Sequence, residues 1–243
     1  MKNINQEELN KILKEHKLWL KGERGKRADL ENTNLKDIYL KNTNLQYANL
    51  KNADLECVNL RGSNLRYANL RNANLQYANL KNADLEDANL SYANLEDANL
   101  RCANLKNSDL RYANLSYANL KGSYLEGVKT NINTIGYNLA CPEKGSFIGY
   151  KKANECIVKL LIPKDAKRSS ATTPKCRCDK AKVLEIKDIE TGELIDKVSS
   201  DFNPKFIYKV GEIVSVDNFD DNRWNECSTG IHFFVNKKNA INY

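Results

Sequence analysis

Leucine stands at every fifth position from Leu30 to Leu125, which gives twenty leucines in twenty consecutive pentads. The residue before each leucine is Asn or Asp, except that Tyr39 and Tyr124 stand there in two pentads. On an α-helix a step of five residues turns each leucine about 140° from the last, and on a flat strand it places successive leucines on opposite faces. The leucines can therefore share one core only if the chain turns a corner in every pentad.

Four such corners close a coil of twenty residues, so the pattern predicts an all-β solenoid. Residues 28–127 would form about five coils, stacked at roughly 4.8 Å and together about 24 Å tall. The residue two before each leucine is mostly Ala, and it shares the inward face of a narrow tube. Asn and Asp suit the corners because their side chains hydrogen-bond to the nearby backbone.

These pentads resemble the pentapeptide-repeat family over residues 28–127. The resemblance implies a right-handed quadrilateral β-helix. Some members of that family imitate the shape and charge of duplex DNA, so it also implies an alternative function as a DNA-mimic regulator of DNA gyrase. Such a mimic needs a densely acidic surface, since phosphate charge dominates what its partner recognises. Residues 28–127 carry eleven basic and twelve acidic side chains, a net charge of −1, which argues against this alternative.

The segment before the repeats predicts a capping helix. Asn5, with Glu8 three residues later, is typical of a helix N-cap, and Gly22 is typical of a helix end. One face of this helix is apolar, and we expect it to cover the open end of the first coil, because solenoids need caps. Residues 1–27 are therefore interpreted as a capping helix followed by a basic connector.

The segment after the repeats predicts a linker and a second domain. Residues 128–153 are interpreted as linker or loop, and residues 154–243 as a small α+β domain. Apolar runs predict strands, with a hairpin turn at Thr191-Gly192, over residues 156–162, 182–186, 193–198, 212–216 and 231–235. Through residues 167–172 and 227–234, this part resembles a domain of unknown function that follows pentapeptide repeats in bacteria and their phages.

Composition narrows the classes of function. The chain shows no secretory signal after Met1 and no apolar run long enough to span a membrane. Its seven scattered cysteines are typical of a reducing compartment. We therefore expect a cytoplasmic protein. The net charge of +7 is unevenly distributed, because the excess of basic residues flanks the near-neutral repeats.

One predicted side of the solenoid has a distinctive charge pattern. All eleven basic residues of the repeats directly follow a leucine, and residues twenty apart stack on one side. The side built on Leu40, Leu60, Leu80, Leu100 and Leu120 carries a row that we call the basic ladder: Lys41, Arg61, Lys81, Arg101 and Lys121. Stacked like charges cost stability. The row is therefore either a groove for a polyanion, such as a nucleic-acid backbone, or simply a solvated face.

The C-terminal part offers weaker candidate sites. A basic, hydroxyl-rich loop could contact phosphate through Lys167, Arg168, Ser169, Ser170 and Thr172. Cys176 and Cys178 form one C-x-C, which is a weak zinc signal without a paired motif, so no metal is expected. Cys227 and His232 could act as nucleophile and base, but a histidine within an apolar strand is more often packed in the core.

The sequence therefore predicts a non-enzymatic binding protein with no catalytic residues and no cofactor. The solenoid would be a rigid surface displayed to an unknown protein or polyanionic partner. Two alternatives remain open: the gyrase-directed DNA mimic, and an enzyme whose site lies in the C-terminal domain.

Overall fold

The computed structural model describes residues 1–243 as two compact units, Met1–Asn138 and Leu139–Tyr243. The first unit contains strand β1 (Lys2–Asn3), helix α1 (Gln6–Leu20) and strand β2 (Thr33–Asn34). After these, parallel bridges join residues twenty apart, from the pair Asp29 and Asn49 to the pair Asn104 and Tyr124. Neither helix of the chain has the length and apolar character that a membrane span requires.

The repeats form a β-helix-like solenoid with the leucines inside. Every repeat leucine from Leu30 to Leu120 is at most 2% exposed, and only Leu125 is partly exposed. The backbone N–H of a repeat leucine donates to a carbonyl one rung further along, as Leu45 does to Asn64 at 2.7 Å. The prediction that the leucines point inward is therefore confirmed.

Most corners have a left-handed backbone residue and a side-chain hydrogen bond that stabilises the turn. The residue two after each repeat leucine has a left-handed backbone, with φ between 55° and 63° where it is Asn, Asp, Tyr or Cys. That conformation costs roughly 1–2 kcal/mol for a residue with a side chain. Ladder bonds such as Tyr67 N–H to the Glu86 carbonyl, at 3.0 Å, offset it. The Asn or Asp before a leucine then braces the turn, as Asn59 Oδ1 accepts from Arg61 N–H at 3.1 Å.

The predicted N-terminal helix is present as α1 (Gln6–Leu20), and it contacts the start of the solenoid. Asn5 and Glu8 form a reciprocal capping box, and Gly22 follows the helix with φ 76°. Strand β1 pairs in parallel with β2, which adds a rung beneath the repeats. The Gln6 side chain accepts from the backbone N–H of Tyr39 at 2.8 Å, and Leu9 is completely buried.

The solenoid ladder continues beyond the repeats. Lys129 bridges to Asp109, and Ile135 bridges to Asn114. Thr134 is 1% exposed, and its hydroxyl donates to the Leu110 carbonyl at 3.1 Å. The first residues of the predicted linker thus belong to the solenoid unit, because backbone pairing continues where the leucine pattern has stopped.

The second unit is built on a seven-stranded antiparallel sheet. Its elements are β3 (Phe147–Ala153), β4 (Cys156–Ile162), β5 (Arg168–Ser170), β6 (Lys175–Cys178), β7 (Lys180–Asp188), β8 (Lys197–Ser199), β9 (Ile207–Lys209), β10 (Ile213–Ser215), β11 (Ile231–Phe234) and α2 (Lys237–Ile241). The spatial order of the sheet is β10-β7-β4-β3-β11-β6-β5, while β8 and β9 form a separate pair.

Two features of this sheet differ from the prediction. Strand β3 lies in the predicted linker and pairs with β4 along its full length, from Phe147 with Ile162 to Ala153 with Cys156. Its lysines and Gly149 hide the strand pattern, and the glycine is needed because a Cβ there would meet the Phe233 ring at 2.6 Å. The predicted hairpin at residues 182–198 is short, because β8 pairs with β9 rather than β7.

Candidate functional site

The basic ladder is a continuous row in the structure. Backbone N–H groups one rung below donate to the ladder carbonyls, as Gly62 does to Lys81 and Asn82 does to Arg101, both at 3.0 Å. On four rungs, the side chain of the Asn before the leucine accepts a hydrogen bond from the backbone N–H of the ladder residue. Asn79 Oδ1, for example, accepts from Lys81 N–H at 3.2 Å. The backbone is therefore fixed, and only the charged ends of the side chains are free to meet a ligand.

No carboxylate neutralises the basic ladder. None of its five members forms an ion pair within 4.0 Å. The residues just before and two after its leucines are Asn, Tyr, Gly or Cys. This row is therefore a strip of positive charge without ion pairs, although Asp37 and Asp97 stand at the same corner as Tyr77 and Tyr117.

The other three rows do carry compensating pairs. Lys51 Nζ lies 2.9 Å from a Glu31 oxygen, and Lys36 Nζ lies 2.8 Å from a Glu56 oxygen. In the row of alternating charge, Lys106 Nζ lies 3.0 Å from a Glu126 oxygen. Those pairs join side chains twenty residues apart, so the rung spacing suits an ion pair. The same spacing sets like charges together on the basic ladder.

Tyrosines stand at corners beside these rows. Tyr77 and Tyr117 are 53% and 52% exposed, at the corner before the basic ladder. On another corner, Tyr47 and Tyr67 stack with centroids 4.8 Å apart, and Trp19 of α1 meets Tyr47 edge-on at 6.2 Å. Tyr77 and Tyr117 are therefore exposed aromatic groups beside the basic ladder.

The predicted phosphate-contacting loop needs correction. Arg168, Ser169 and Ser170 form strand β5, and the two serines are 3% and 2% exposed. Thr172 is 6% exposed. The Arg168 guanidinium donates to the carbonyls of residues 142, 145, 163, 164 and 166. Lys167 Nζ lies 3.4 Å from an Asp221 oxygen. The serines and Thr172 are therefore buried, and the Arg168 guanidinium is held by backbone carbonyls, so these residues do not form an exposed phosphate-contacting loop.

The C-x-C pair lies inside the sheet. Cys176 and Cys178 are both 0% exposed on β6. A hydrogen bond with Cys141, followed by burial, raises the pKa of Cys176, and burial raises the pKa of Cys178. Both cysteines belong to the hydrophobic core of the second unit.

Cys227 and His232 line the same cavity of the second unit, which has a volume of about 510 Å³. Burial, followed by the charges of Lys175, Lys151 and Arg177, lowers the pKa of His232 to about 4. The imidazole is therefore neutral at physiological pH. Cys227 is exposed, and its sulfur lies 4.0 Å from Lys175 Nζ.

Sequence reasoning missed the two lysines in this cavity. Lys151 lies on β3 and Lys175 on β6, and β11 separates these strands in the sheet. The sequence does not show which strands are neighbours in the sheet, so the spacing of lysines on separate strands does not identify a shared site. Lys151 also lies in the predicted linker, and Lys175 lies outside every predicted strand.

Family models match both units. A model described as pentapeptide repeats, with eight copies, matches residues 26–56, 53–91 and 88–127. A model described as a family of unknown function, DUF5758, matches residues 137–240. No curated protein matches the chain.

Solved structures resemble the repeats. The pentapeptide repeat protein Rfr23 from the cyanobacterium Cyanothece 51142 is 34% identical, covering 52% of this chain and 97% of its own, with a TM-score of 0.43. HetL from Nostoc sp. strain PCC 7120, described as involved in heterocyst differentiation regulation, is 29% identical, covering 44% of this chain, with a TM-score of 0.37. The match spans 61% of HetL, less than two thirds of its length.

Proposed function

This chain belongs to the pentapeptide-repeat family through residues 26–127, and a DUF5758 domain follows at residues 137–240. From that premise we propose that it is a non-enzymatic binding protein whose solenoid holds an extended polyanion along the basic ladder. The observation that carries the proposal is the absence of any ion pair on this row, while each of the other three rows has at least one.

The energetics favour a ligand on that row. Stacked like charges destabilise a sheet, and each of the three other rows contains at least one Lys or Arg paired with a carboxylate. Five cationic groups repeating at about 4.8 Å extend over roughly 19 Å. A flexible single-stranded nucleic acid can adapt its phosphates to such a row, and exposed tyrosines beside it can stack on bases.

The finer architecture is part of the proposal. We propose that the solenoid is a right-handed quadrilateral β-helix of about five coils, because the twenty-residue bridge spacing equals four pentads. In domain terms, residues 1–27 would be the cap and connector, 28–127 the β-helix, 128–153 a junction and 154–243 the second domain.

Seven free cysteines support a reducing compartment, so we propose a cytoplasmic location.

Two other functions are less well supported. A gyrase-directed DNA mimic would present stacked carboxylates, whereas seven of the twelve acidic side chains in residues 28–127 are paired with Lys or Arg. An enzyme in the second unit would use Cys227 and His232, which share a cavity. However, a base needs a pKa near the working pH, and the pKa of His232 is about 4.

The proposal is tested by binding of the full-length chain to fluorescent oligothymidylate and to heparin, followed by anisotropy across a salt series. If five cationic groups meet the phosphates, the slope of log K against log salt should be near −3.5. Lys81→Glu should weaken binding and make that slope shallower by about 0.7 for each phosphate that is no longer neutralised.

The matched control is Lys106→Glu on the row of alternating charge. It makes the same change in net charge but lies away from the basic ladder. Binding should be largely retained in this variant. Equal weakening in both variants would attribute the binding to bulk charge. If the wild type shows no measurable binding near physiological salt, the solenoid is not a polyanion-binding surface.

A further inference from the structure

The second unit contains a cavity that the solenoid's proposed role does not use. It holds about 510 Å³, within the usual range for small-molecule sites. Fifteen residues line it, and none is Asp or Glu. Its lining includes Lys151, Lys175 and His232, together with Phe202 and Phe206. The site therefore combines cationic and apolar surface and has no acidic group.

Lys175 is a buried cation without an ion-pair partner. The residue is 8% exposed, and its Nζ donates to the Tyr243 hydroxyl at 3.2 Å. The carboxylate of Glu226 accepts from the Thr173 hydroxyl and forms no ion pair with the Lys175 ammonium. Burial lowers the pKa of Lys175, but the Tyr243 hydrogen bond and the charge of Glu226 outweigh it, so the net shift is upward and Lys175 stays charged.

Lys151 adds a second positive charge. Burial lowers its pKa most strongly, and the charge of Lys175 lowers it further, against the opposing charge of Asp201. Asp201 itself accepts a hydrogen bond from the backbone N–H of Asn154 and forms no ion pair with Lys151. Two like charges that disfavour one another in a low-dielectric site are normally compensated by an anion.

His232 contributes a polar atom that is not satisfied by the protein. Its Nε2 is buried and has no hydrogen-bond partner. A buried polar atom without a partner is destabilising, so most native proteins satisfy it. The atom belongs to a residue of β11 that lines the cavity, on the strand between those of the two lysines.

We propose that this cavity binds a small organic anion, with its charged group against Lys151 and Lys175 and its apolar body against Phe202 and Phe206. A bare inorganic anion would leave the aromatic side chains without a contact. Lysines supply compact point charges suited to a carboxylate. The aromatic side chains supply the area that gives a small ligand its affinity.

The test is titration of the full-length chain with three probes, measured by calorimetry and saturation-transfer NMR. The probes are 2-naphthoate, its neutral isostere 2-naphthamide, and acetate, which has the charge but no ring. We expect 2-naphthoate to bind with a Kd of about 1 mM or below. The amide and acetate should each bind at least about tenfold more weakly, because the amide lacks the charge and acetate lacks the apolar body.

Substitutions of the cavity lysines test whether 2-naphthoate binds in this cavity. Lys175→Met and Lys151→Met should each weaken 2-naphthoate binding at least about tenfold, whereas Lys175→Arg should keep it within about threefold. Lys182→Met, at an exposed lysine of β7 in the same sheet, should have no effect. The neutral Lys151→Met should also melt at least as high as the wild type without ligand, since it removes an uncompensated charge.

Three results would overturn the proposal. One is no detectable 2-naphthoate binding at about ten times the expected Kd, and another is equal binding of the amide. The third is a weakening in Lys182→Met as large as that in Lys151→Met. If Lys175→Met does not fold, Lys151→Met and Lys175→Arg still decide the matter. None of these readouts depends on polyanion binding by the solenoid.

Discussion

Nδ1 of His16 accepts a hydrogen bond from the backbone N–H of Ala28 at 3.1 Å, which ties the capping helix to the chain as it enters the repeats. His16 is completely buried, and its ring stacks on Trp19 with centroids 5.7 Å apart. In a solenoid each rung is stabilised mainly by its neighbours, so the first rung depends on this interaction. His16 is therefore a structural residue of the cap.

Replacing His16 by Ala should destabilise the start of the solenoid. The change leaves the Ala28 N–H unsatisfied and opens a cavity, at a cost of roughly 2–4 kcal/mol. Hydrogen exchange should speed up most in the first rungs and least near Leu105 and Leu110. Lys17→Ala, at an exposed position of the same helix, is the control. Uniform acceleration along all rungs would contradict a local capping role.

The stability of the second unit should fall in mild acid. His232 has a pKa of about 4 when folded and near 6.5 when unfolded, so only the unfolded chain takes up a proton between these values. The free energy of unfolding is therefore not lowered by His232 above pH 6.5. It decreases by roughly 2–3 kcal/mol in all as the pH falls towards 4. Urea unfolding followed by Trp224 fluorescence in a Trp19→Phe background measures it.

His232→Leu should remove most of this pH dependence between about pH 6.5 and 5, where few carboxylates have begun to protonate. A variant whose unfolding free energy still falls as steeply as that of the wild type would show that His232 does not cause the effect.

The core prediction concerns Leu80, which is completely buried. Leu80→Ala should cost about 2–5 kcal/mol, because the narrow tube cannot collapse around the missing volume. Leu80→Asp should abolish cooperative melting or solubility, since it leaves an unpaired charge among leucines. Normal melting of a soluble Leu80→Asp variant would contradict the inward orientation.

The thiols should divide sharply by accessibility. Cys57 and Cys102 are exposed at corners with φ 61° and 55°, and Cys227 is also exposed. Native labelling with N-ethylmaleimide should modify these three exposed thiols and leave the four buried cysteines unmodified until the chain is denatured. A disulfide between Cys57 and Cys102 would be incompatible with the observed ladder, because the two residues belong to different rows.

Local periodicity determines what can be predicted from this sequence. The repeat leucines, the Asn5 cap and strand Cys156–Ile162 each follow from spacing within a short window, and all three are confirmed. The same reasoning predicts linker at Phe147–Ala153, because pairing with β4, rather than composition, defines that strand. Continuation of the ladder to Ile135 likewise depends on backbone bonds that no side-chain pattern reports.

The candidate sites show the same division. The basic ladder follows from the twenty-residue period, although its lack of counter-charge is visible only beside the ion pairs of the other rows. Composition predicts a loop at Arg168 and Ser170, yet they lie in a strand. The placement of Lys151 and Lys175 in one cavity depends on sheet order, in which β11 lies between their strands, and order of this kind is a long-range property.

The last prediction separates ligand binding from stability on the basic ladder. Lys81 lies between Arg61 and Arg101, one rung from each. A carboxylate at position 81 would attract both neighbours, so Lys81→Glu should stabilise the chain by roughly a few tenths of a kcal/mol. The gain should shrink in high salt, because exposed charges are screened. Thermal melting at low and high ionic strength measures it.

The opposite sign is expected for Lys106→Glu. This change breaks the ion pair with Glu126 and places three carboxylates in succession, with Glu86 on the other side, so melting should occur at a lower temperature. A stabilised Lys81→Glu variant that no longer binds polyanions would show that the ladder lowers stability in order to hold a ligand. Stabilisation with binding unchanged would mark the row as a solvated face. If both variants shift the melting temperature in the same direction, the assignment of charges to rows is wrong.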